Sequence, residues 1–281
     1  MTLLRESFGG INARFHLVGL YATSAVLSRI SFALAVENPE WALPAGIVLV
    51  IYSGVGFGIS GLVFQEASRR RERIPFGRYV RALFLPLLWL WLEANLIVSG
   101  LFAFGAASYF VAVRPPASFE EFLTATGVWA AQPVELAMDI VLLYAWPLCI
   151  LSRERGERRA PIREGWRLLR LRAADSLRLL LLPAFAVSLK GGLAYARGVK
   201  GENAPPDVPE VLIIFAGCYL ELVALYGAAR VVLERATAEG RDGRDAGDSR
   251  GAGDDRAADD DRDADDGRDA GAIRPPPGPR A

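Results

Sequence analysis

The chain has 281 residues, 52% of them hydrophobic, and its 32 basic and 32 acidic side chains give a formal net charge of zero. This balance conceals two unlike parts. The residues from Glu239 onward carry 12 Asp and 1 Glu against 8 Arg, a net charge of −5 that the preceding residues offset. Long apolar blocks fill the first 238 residues, which excludes soluble globular, collagen-like and disulfide-framework proteins. We predict an all-α, polytopic transmembrane helix bundle at 1–235, followed by a disordered cytoplasmic tail rich in Asp, Arg and Gly at 236–281.

Six apolar segments are long enough to cross a bilayer as helices, which requires about 20 residues each. They are 16–36, 42–64, 82–103, 128–151, 176–196 and 211–233. The six pair into three helical hairpins. The third apolar run continues to Val113, which is longer than one crossing and too short for two. We therefore expect one span that ends near Gly100, followed by an interfacial or re-entrant piece.

Basic residues lie in alternate loops, which indicates the orientation of the bundle. Arginines crowd the loops between spans two and three and between spans four and five, and the other three loops hold few bases. Since Lys and Arg accumulate on the cytoplasmic side, we predict a cell-membrane protein with both termini in the cytoplasm. Ala33-Leu34-Ala35 resembles a signal-peptidase site. Cleavage there is an alternative for the first span, and it leaves the orientation of the others unchanged.

Each hairpin follows a basic, amphipathic lead-in, at 4–14, 74–81 and 161–178. In the third lead-in, basic residues interleave with apolar ones at helical spacing; they are Arg163, Arg167 and Arg170. This pattern is typical of a helix in the headgroup plane whose arginines contact anionic lipid. The simpler interpretation is that the basic flanks only fix the topology.

Span two is rich in glycine, and Gly54 and Gly58 form a small-xxx-small pair that predicts close helix packing. Residues 56–61 also match the letters of the dinucleotide-binding motif G-x-G-x-x-G. The strand that must precede this motif is missing, so we do not interpret it as a nucleotide site. Gly58-Ile59-Ser60-Gly61 also resembles the serine motif of rhomboid intramembrane proteases. That likeness implies a dyad of Ser60 with His16, the only histidine in the chain. We favour packing, and we expect no enzyme activity, no metal site and no cofactor.

Charged side chains inside the spans are costly and mark functional sites. The candidates for an ion or solute site are Glu93, Glu135, Asp139, Lys190, Glu221 and Arg29. Four acids cannot all be neutralised by two bases, so at least two carboxyl groups should be protonated, metal-bound or hydrated. We assign Asp139 and Glu93 as titrating or cation-binding carboxylates, Glu221 as a second acid and Lys190 as the counter-ion. The alternative is a scaffold in which Arg29 and Lys190 each pair with one acid.

The tail repeats Arg every six residues from Arg244 to Arg280, separated by Asp, Gly and Ala. With so few apolar side chains it cannot offset the entropy cost of folding, so we predict a solvated spacer. An acidic tether that docks on the chain's own arginines or on a basic partner is the alternative.

Two lead-ins carry a family resemblance. Gly165-Trp166-Arg167-Leu168-Leu169-Arg170 and Leu3-Leu4-Arg5-Glu6-Ser7-Phe8 resemble the basic segments before each hairpin in uncharacterised archaeal and bacterial six-span membrane families. The Asp-rich, lysine-poor composition is also typical of haloarchaeal proteins. The resemblance extends over about 1–235 and implies the fold without an activity.

The sequence is consistent with two functions. The first is transport of a small solute, ion or proton through the acidic residues near the midplane. The second is a non-enzymatic organising protein whose Arg-rich cytoplasmic face binds anionic lipid or a partner subunit. The bilayer is the expected partner in both cases, and nothing in the sequence predicts binding of nucleic acid.

Overall fold

The computed structural model describes the backbone of residues 2–69, 74–112, 119–157, 160–197 and 206–254. Side chains are described for 3–69, 74–108, 132–157, 160–193 and 206–239. The chain divides into two units, Met1–Arg235 and Ala236–Ala281.

The described residues contain eight α-helices and one 3₁₀ turn, at Pro39–Trp41, and no strand. The helices are α1 (Thr2–Asn12), α2 (Phe15–Glu37), α3 (Ala42–Ala67), α4 (Phe76–Ala112), α5 (Phe119–Arg155), α6 (Pro161–Leu171), α7 (Ala173–Arg197) and α8 (Val208–Asp254). Six of them are long and apolar enough to cross a membrane, namely α2, α3, α4, α5, α7 and α8. The prediction of an all-α bundle with six spans is confirmed, and the chain is a multi-pass membrane protein.

The six spanning helices form a ring in chain order. Each of the pairs α2/α3, α3/α4, α4/α5 and α5/α7 packs side by side. Gly227 of α8 lies against the Leu179 side chain of α7. The ring closes between α8 and α2, where Arg29 Nε lies 3.1 Å from Glu210 Oε1. All six helices therefore face a common interior.

The apolar core lies in the half of the bundle that carries α1, α6 and the arginine-rich loops, which we call the basic face. In α3, the buried residues all fall between Gly54 and Ala67. The other half exposes large apolar side chains, as at Leu43 and Leu96, which are 76% and 78% exposed. Exposed apolar side chains at this density are normal where the surrounding solvent is lipid.

Glycines allow the close contacts within this core. A Cβ on Gly58 would lie 2.7 Å from Val80 Cγ2 of α4, so the predicted packing role of this glycine is confirmed. A Cβ on Gly165 of α6 would lie 2.9 Å from the backbone nitrogen of Ala145 in α5. The helix α6 thus packs along α5, with Ile162 against the apolar group around Ala94 and Met138. The predicted position of α6 in the headgroup plane, with its arginines on anionic lipid, stays a prediction.

Two predicted boundaries differ from the structure. The expected break near Gly100 is wrong, because α4 continues as one helix through Ala112. Its 37 residues extend about 55 Å, so the helix spans the hydrocarbon core and protrudes or tilts. A polar backbone in apolar surroundings satisfies its hydrogen bonds best by remaining helical, which explains why α4 continues without a break. In α8 the helix continues to Asp254, beyond the predicted end at 233. Residues 255–281 lie outside the described residues, so the disorder predicted there stays a prediction.

The contact between α6 and α5 can be tested at Gly165. We expect Gly165→Ala to lower the free energy of unfolding by about 1–3 kcal/mol, because the new methyl group meets backbone rather than a movable side chain. The matched control is Gly100→Ala, where a Cβ has no neighbour within 4 Å. That change should be neutral or stabilising by up to about 1 kcal/mol. Thermal unfolding in detergent measures both, and equal effects would contradict the packing of α6.

Candidate functional site

A single lysine links two acidic residues from different helices inside the ring. Lys190 of α7 donates a hydrogen bond through Nζ to Glu135 Oε1 of α5. The same Nζ lies 3.9 Å from Glu221 Oε1 of α8. About a third of each of the three side chains is exposed, at 35%, 39% and 33%. One ammonium group therefore serves two carboxylates.

Two tyrosines extend this cluster to the first hairpin. Tyr21 Oη of α2 donates to Glu221 Oε2 over 3.4 Å, and Tyr52 Oη of α3 donates to Tyr21 Oη over the same distance. The two rings stack with centroids 5.9 Å apart and an interplanar angle of 5°. Both hydrogen bonds are long, so stacking accounts for much of this contact. Five of the six spanning helices thus contribute to one polar network.

A cavity of about 440 Å³ lies inside the ring, beside this network. All six spanning helices line it. The polar side chains that do so are Tyr21, Ser60, Asn95, Glu135, Asp139, Trp146 and Glu221, and the apolar ones include Trp91, Met138, Leu142 and Pro183. From Glu135 to Trp146 the α5 lining extends about 16 Å, half the thickness of the hydrocarbon core. The cavity is thus a mainly apolar compartment within the membrane-spanning part, with a few polar groups on its wall.

Two cavity groups lack a partner among the described residues. Asp139, one helical turn from Glu135, makes no hydrogen bond and no ion pair with the described side chains. The Nε1 of Trp146 is buried without an acceptor, although its ring packs on Phe57 at a centroid distance of 5.7 Å. By contrast, the Ser60 hydroxyl donates to the Gly56 carbonyl at 2.8 Å. The Asp139 carboxyl group lines the cavity and is therefore available to a bound molecule, whereas the indole nitrogen is enclosed by protein atoms.

The structure brings together four of the six charged residues that the sequence singled out: Glu135, Asp139, Lys190 and Glu221. Glu93 is exposed and does not line the cavity, whereas its neighbours Trp91 and Asn95 do. Arg29 lies apart as well and pairs with Glu210. Neither Glu93 nor Arg29 belongs to the cluster to which the sequence had assigned them.

Sequence reasoning missed several contributors. Glu210 lies one residue before the predicted sixth span, so it was not counted among the charges inside the spans. Tyr21, Tyr52 and Trp146 were read as apolar span residues. A phenol or indole inside a span carries a polar group that requires a partner, and this was the signal available in the sequence.

The Ser60–His16 dyad does not form. His16 lines a different cavity of about 380 Å³ at the basic face, together with Gln65 and Arg69. There, Arg14 donates to Glu66 Oε2 through Nε and Nη2, at 3.1 and 3.0 Å. The likeness to rhomboid proteases is therefore restricted to four letters of sequence.

The three arginines of α6 that were predicted to reach lipid are exposed: Arg163, Arg167 and Arg170. The guanidinium carbon of Arg170 lies 5.4 Å from the centre of the Trp166 ring, which is itself 45% exposed. An indole and a guanidinium side by side on a surface helix are typical of residues at a membrane interface.

No protein-family model matches the chain, and neither a curated protein nor a solved structure is detectably similar to it. The resemblance of the basic lead-ins to uncharacterised archaeal and bacterial families stays a prediction.

The shared lysine makes a prediction about stability. Lys190→Met leaves Glu135 and Glu221 without their cation inside the membrane. Removing one member of a buried pair costs 3–5 kcal/mol, and partial exposure reduces this, so we expect a loss of about 2 kcal/mol in the free energy of unfolding. Lys190→Met combined with Glu135→Gln should recover part of the loss.

Unfolding in detergent provides the measurement, with Glu93→Gln as the control. Because Glu93 lies outside the cluster, its variant should stay within about 0.5 kcal/mol of the wild type. Wild-type stability of Lys190→Met would refute a structural role for the ion pair.

Proposed function

We propose that the protein moves a small solute or ion across the membrane through the central cavity. The observation that carries this proposal is a cavity lined by all six spanning helices, with the unpaired carboxylate of Asp139 inside it. A scaffold that only needs to stay assembled gains nothing from an unpaired charge in the membrane, because such a group is expensive to keep there.

The residues take distinct roles in this proposal. Asp139 contacts the transported species. Lys190 holds Glu135 and Glu221 in place, and it leaves Asp139 as the acid without a dedicated counter-ion among the described side chains. Tyr21 bonds to Glu221 and so connects the first hairpin to the site. We also propose that the basic face is cytoplasmic, in accordance with the positive-inside rule.

A cysteine-accessibility experiment tests the pathway without knowledge of the substrate. Cys149 and Cys218 are both buried and can be replaced by Ala to give a cysteine-free background. Ser60→Cys and Met138→Cys then place a thiol on the cavity wall, and Leu96→Cys places one on an exposed apolar surface outside it. We expect a small water-soluble maleimide to label both cavity positions in sealed vesicles and to leave the Leu96 position unreacted, because a solute pathway is open to water whereas an exposed apolar surface of a span faces lipid.

Labelling of the cavity thiols from both sides of the membrane is the result expected of a transport pathway. Cavity thiols as unreactive as the one at position 96 would refute the proposal.

A second candidate function is the binding of anionic lipid at α6. The specific observation is the exposed trio of Arg163, Arg167 and Arg170 beside the exposed Trp166. In this case the protein would use its basic face to organise lipid or a partner subunit, and the cavity would be secondary.

Replacing all three arginines by Gln should reduce the binding of phosphatidylglycerol. Each basic side chain contributes about 1 kcal/mol near an anionic surface, so the combined loss is roughly 100-fold in affinity. Replacement by Lys retains the charge and should keep most of the binding. Native mass spectrometry of the detergent-solubilised protein, titrated with phosphatidylglycerol or with zwitterionic phosphatidylcholine, measures the effect, and unchanged binding of the Gln variant would exclude this site.

A further inference from the structure

We propose that the cavity at the basic face binds a phosphate group, carried by an anionic phospholipid or free in solution. This cavity, which we call the interfacial pocket, has a volume of about 380 Å³ and shares no lining residue with the central cavity. Residues at the start of α2 and the end of α3 form most of its described wall, and none of that wall belongs to α6. The site therefore stands apart from both functions proposed above.

The pocket lies at the depth of the lipid headgroups. The span α2 begins at Phe15 and the span α3 ends at Ala67, and the bond between Arg14 and Glu66 brings these two ends together. The ends of spanning helices lie in the headgroup region, where phosphate is the anion that phospholipids present. A volume of this size is in the range of small-molecule sites.

The wall also has an apolar part, formed by Leu17, Leu62 and Ile74. These side chains can pack against the glycerol and the first acyl carbons of a phospholipid. A pocket that combines basic and apolar side chains at this depth is typical of a headgroup site.

The charges on the wall favour an anion. Its described carboxylate, Glu66, accepts hydrogen bonds from Nε and Nη2 of Arg14 on the single oxygen Oε2, at 3.1 and 3.0 Å. The side chain of Arg69 makes no hydrogen bond or ion pair with any described residue. His16 adds an N–H donor. One arginine thus neutralises the acid, and the guanidinium of the other can bind an oxyanion with its planar set of N–H groups.

The backbone around the pocket offers hydrogen-bond donors in preference to acceptors. Carbonyls at the end of α3 are occupied, because Phe64 O accepts from Ser68 N and Glu66 O accepts from Arg69 N. The first turn of α2 contains no acidic residue, and Arg14 before it provides no side-chain cap. The N–H groups of that turn therefore meet no competing carboxylate, and the positive end of the helix adds to the attraction for an anion.

The backbone conformation of Arg69 is an independent indication. Among the described residues other than glycine, it is the one with a positive φ, at 52°. A helix that ends in this left-handed conformation usually has glycine there, because a Cβ crowds the following carbonyl oxygen. Arginine at such a position costs stability, and costs of this kind are typical of functional sites. The side chain that is retained at this cost lies on the wall of the pocket.

The test measures the affinity of the full-length protein in detergent for phosphatidylglycerol, by native mass spectrometry. Every sample carries the triple Gln substitution in α6, so that lipid at that helix does not contribute. Arg69→Gln should lower the affinity about fivefold, the contribution of one basic side chain near an anionic lipid. Glu66→Gln should raise the affinity, because it removes a negative charge and releases Arg14. The matched control is Arg5→Gln, an exposed arginine outside the pocket, which should have no effect.

A second probe, inorganic phosphate, identifies the source of the bound group. If free phosphate occupies the pocket, it should raise the Tm of the wild type in a saturable way, and Arg69→Gln should abolish the rise. Sodium chloride at matched ionic strength should have no such effect. A dependence on Arg69 for phosphatidylglycerol alone assigns the pocket to lipid, and a dependence for inorganic phosphate alone assigns it to the free anion.

Arg69→Gly separates binding from folding. Because glycine suits the left-handed conformation, this variant should have a Tm about 2 °C above that of the wild type. Its binding should nevertheless fall as far as that of Arg69→Gln. If both Arg69 variants bind phosphatidylglycerol and inorganic phosphate as the wild type does, the proposal is overturned.

Discussion

The structure depends on the cost of placing charge in a membrane. Lys190 offsets much of this cost, because its ammonium group lies between carboxylates from α5 and α8 and pairs with them. Separating any of these three helices would leave a charge unpaired in lipid, so the contact fixes their relative position. Through Tyr21 the same constraint reaches the first hairpin. Within the cluster, Asp139 is the acid that this pairing leaves without an ion pair, and for that reason the candidate function centres on it.

The two halves of the bundle are held together differently. Lipid is as apolar as leucine, so hydrophobic side chains alone do not draw helices together in a membrane. At the basic face, glycines such as Gly58 and Gly165 allow the helices to approach closely and to bury a core. The other half has fewer buried side chains, and its described contacts combine the ion pair between Arg29 and Glu210 with an apolar group that includes Val98 and Phe102. Space for a cavity remains where close packing gives way to polar contacts.

Much of this architecture could be predicted from the length and polarity of the segments. Runs of about 20 apolar residues specify spans, and counting from their ends gives each charge a depth. The depth of a residue does not specify which side of its helix it lies on. For this reason Glu93 was assigned to the cluster, and Asn95 on the same helix was overlooked. The partner of Arg29 was missed since Glu210 lay one residue before the predicted span. His16 and Ser60 were considered at similar depth, yet they face separate cavities. Such lateral relations depend on tertiary packing.

The position of Pro183 has a mechanical consequence. This proline lies inside α7 and lines the cavity, seven residues before Lys190. It has no N–H group to donate to the Leu179 carbonyl, so α7 lacks one backbone hydrogen bond at that level. The side chain of Leu179 is fully buried, which anchors the lower part of the helix. Any bending of α7 therefore concentrates at the proline, and it would move Lys190, which lies halfway between Pro183 and Arg197, relative to the carboxylates of α5 and α8.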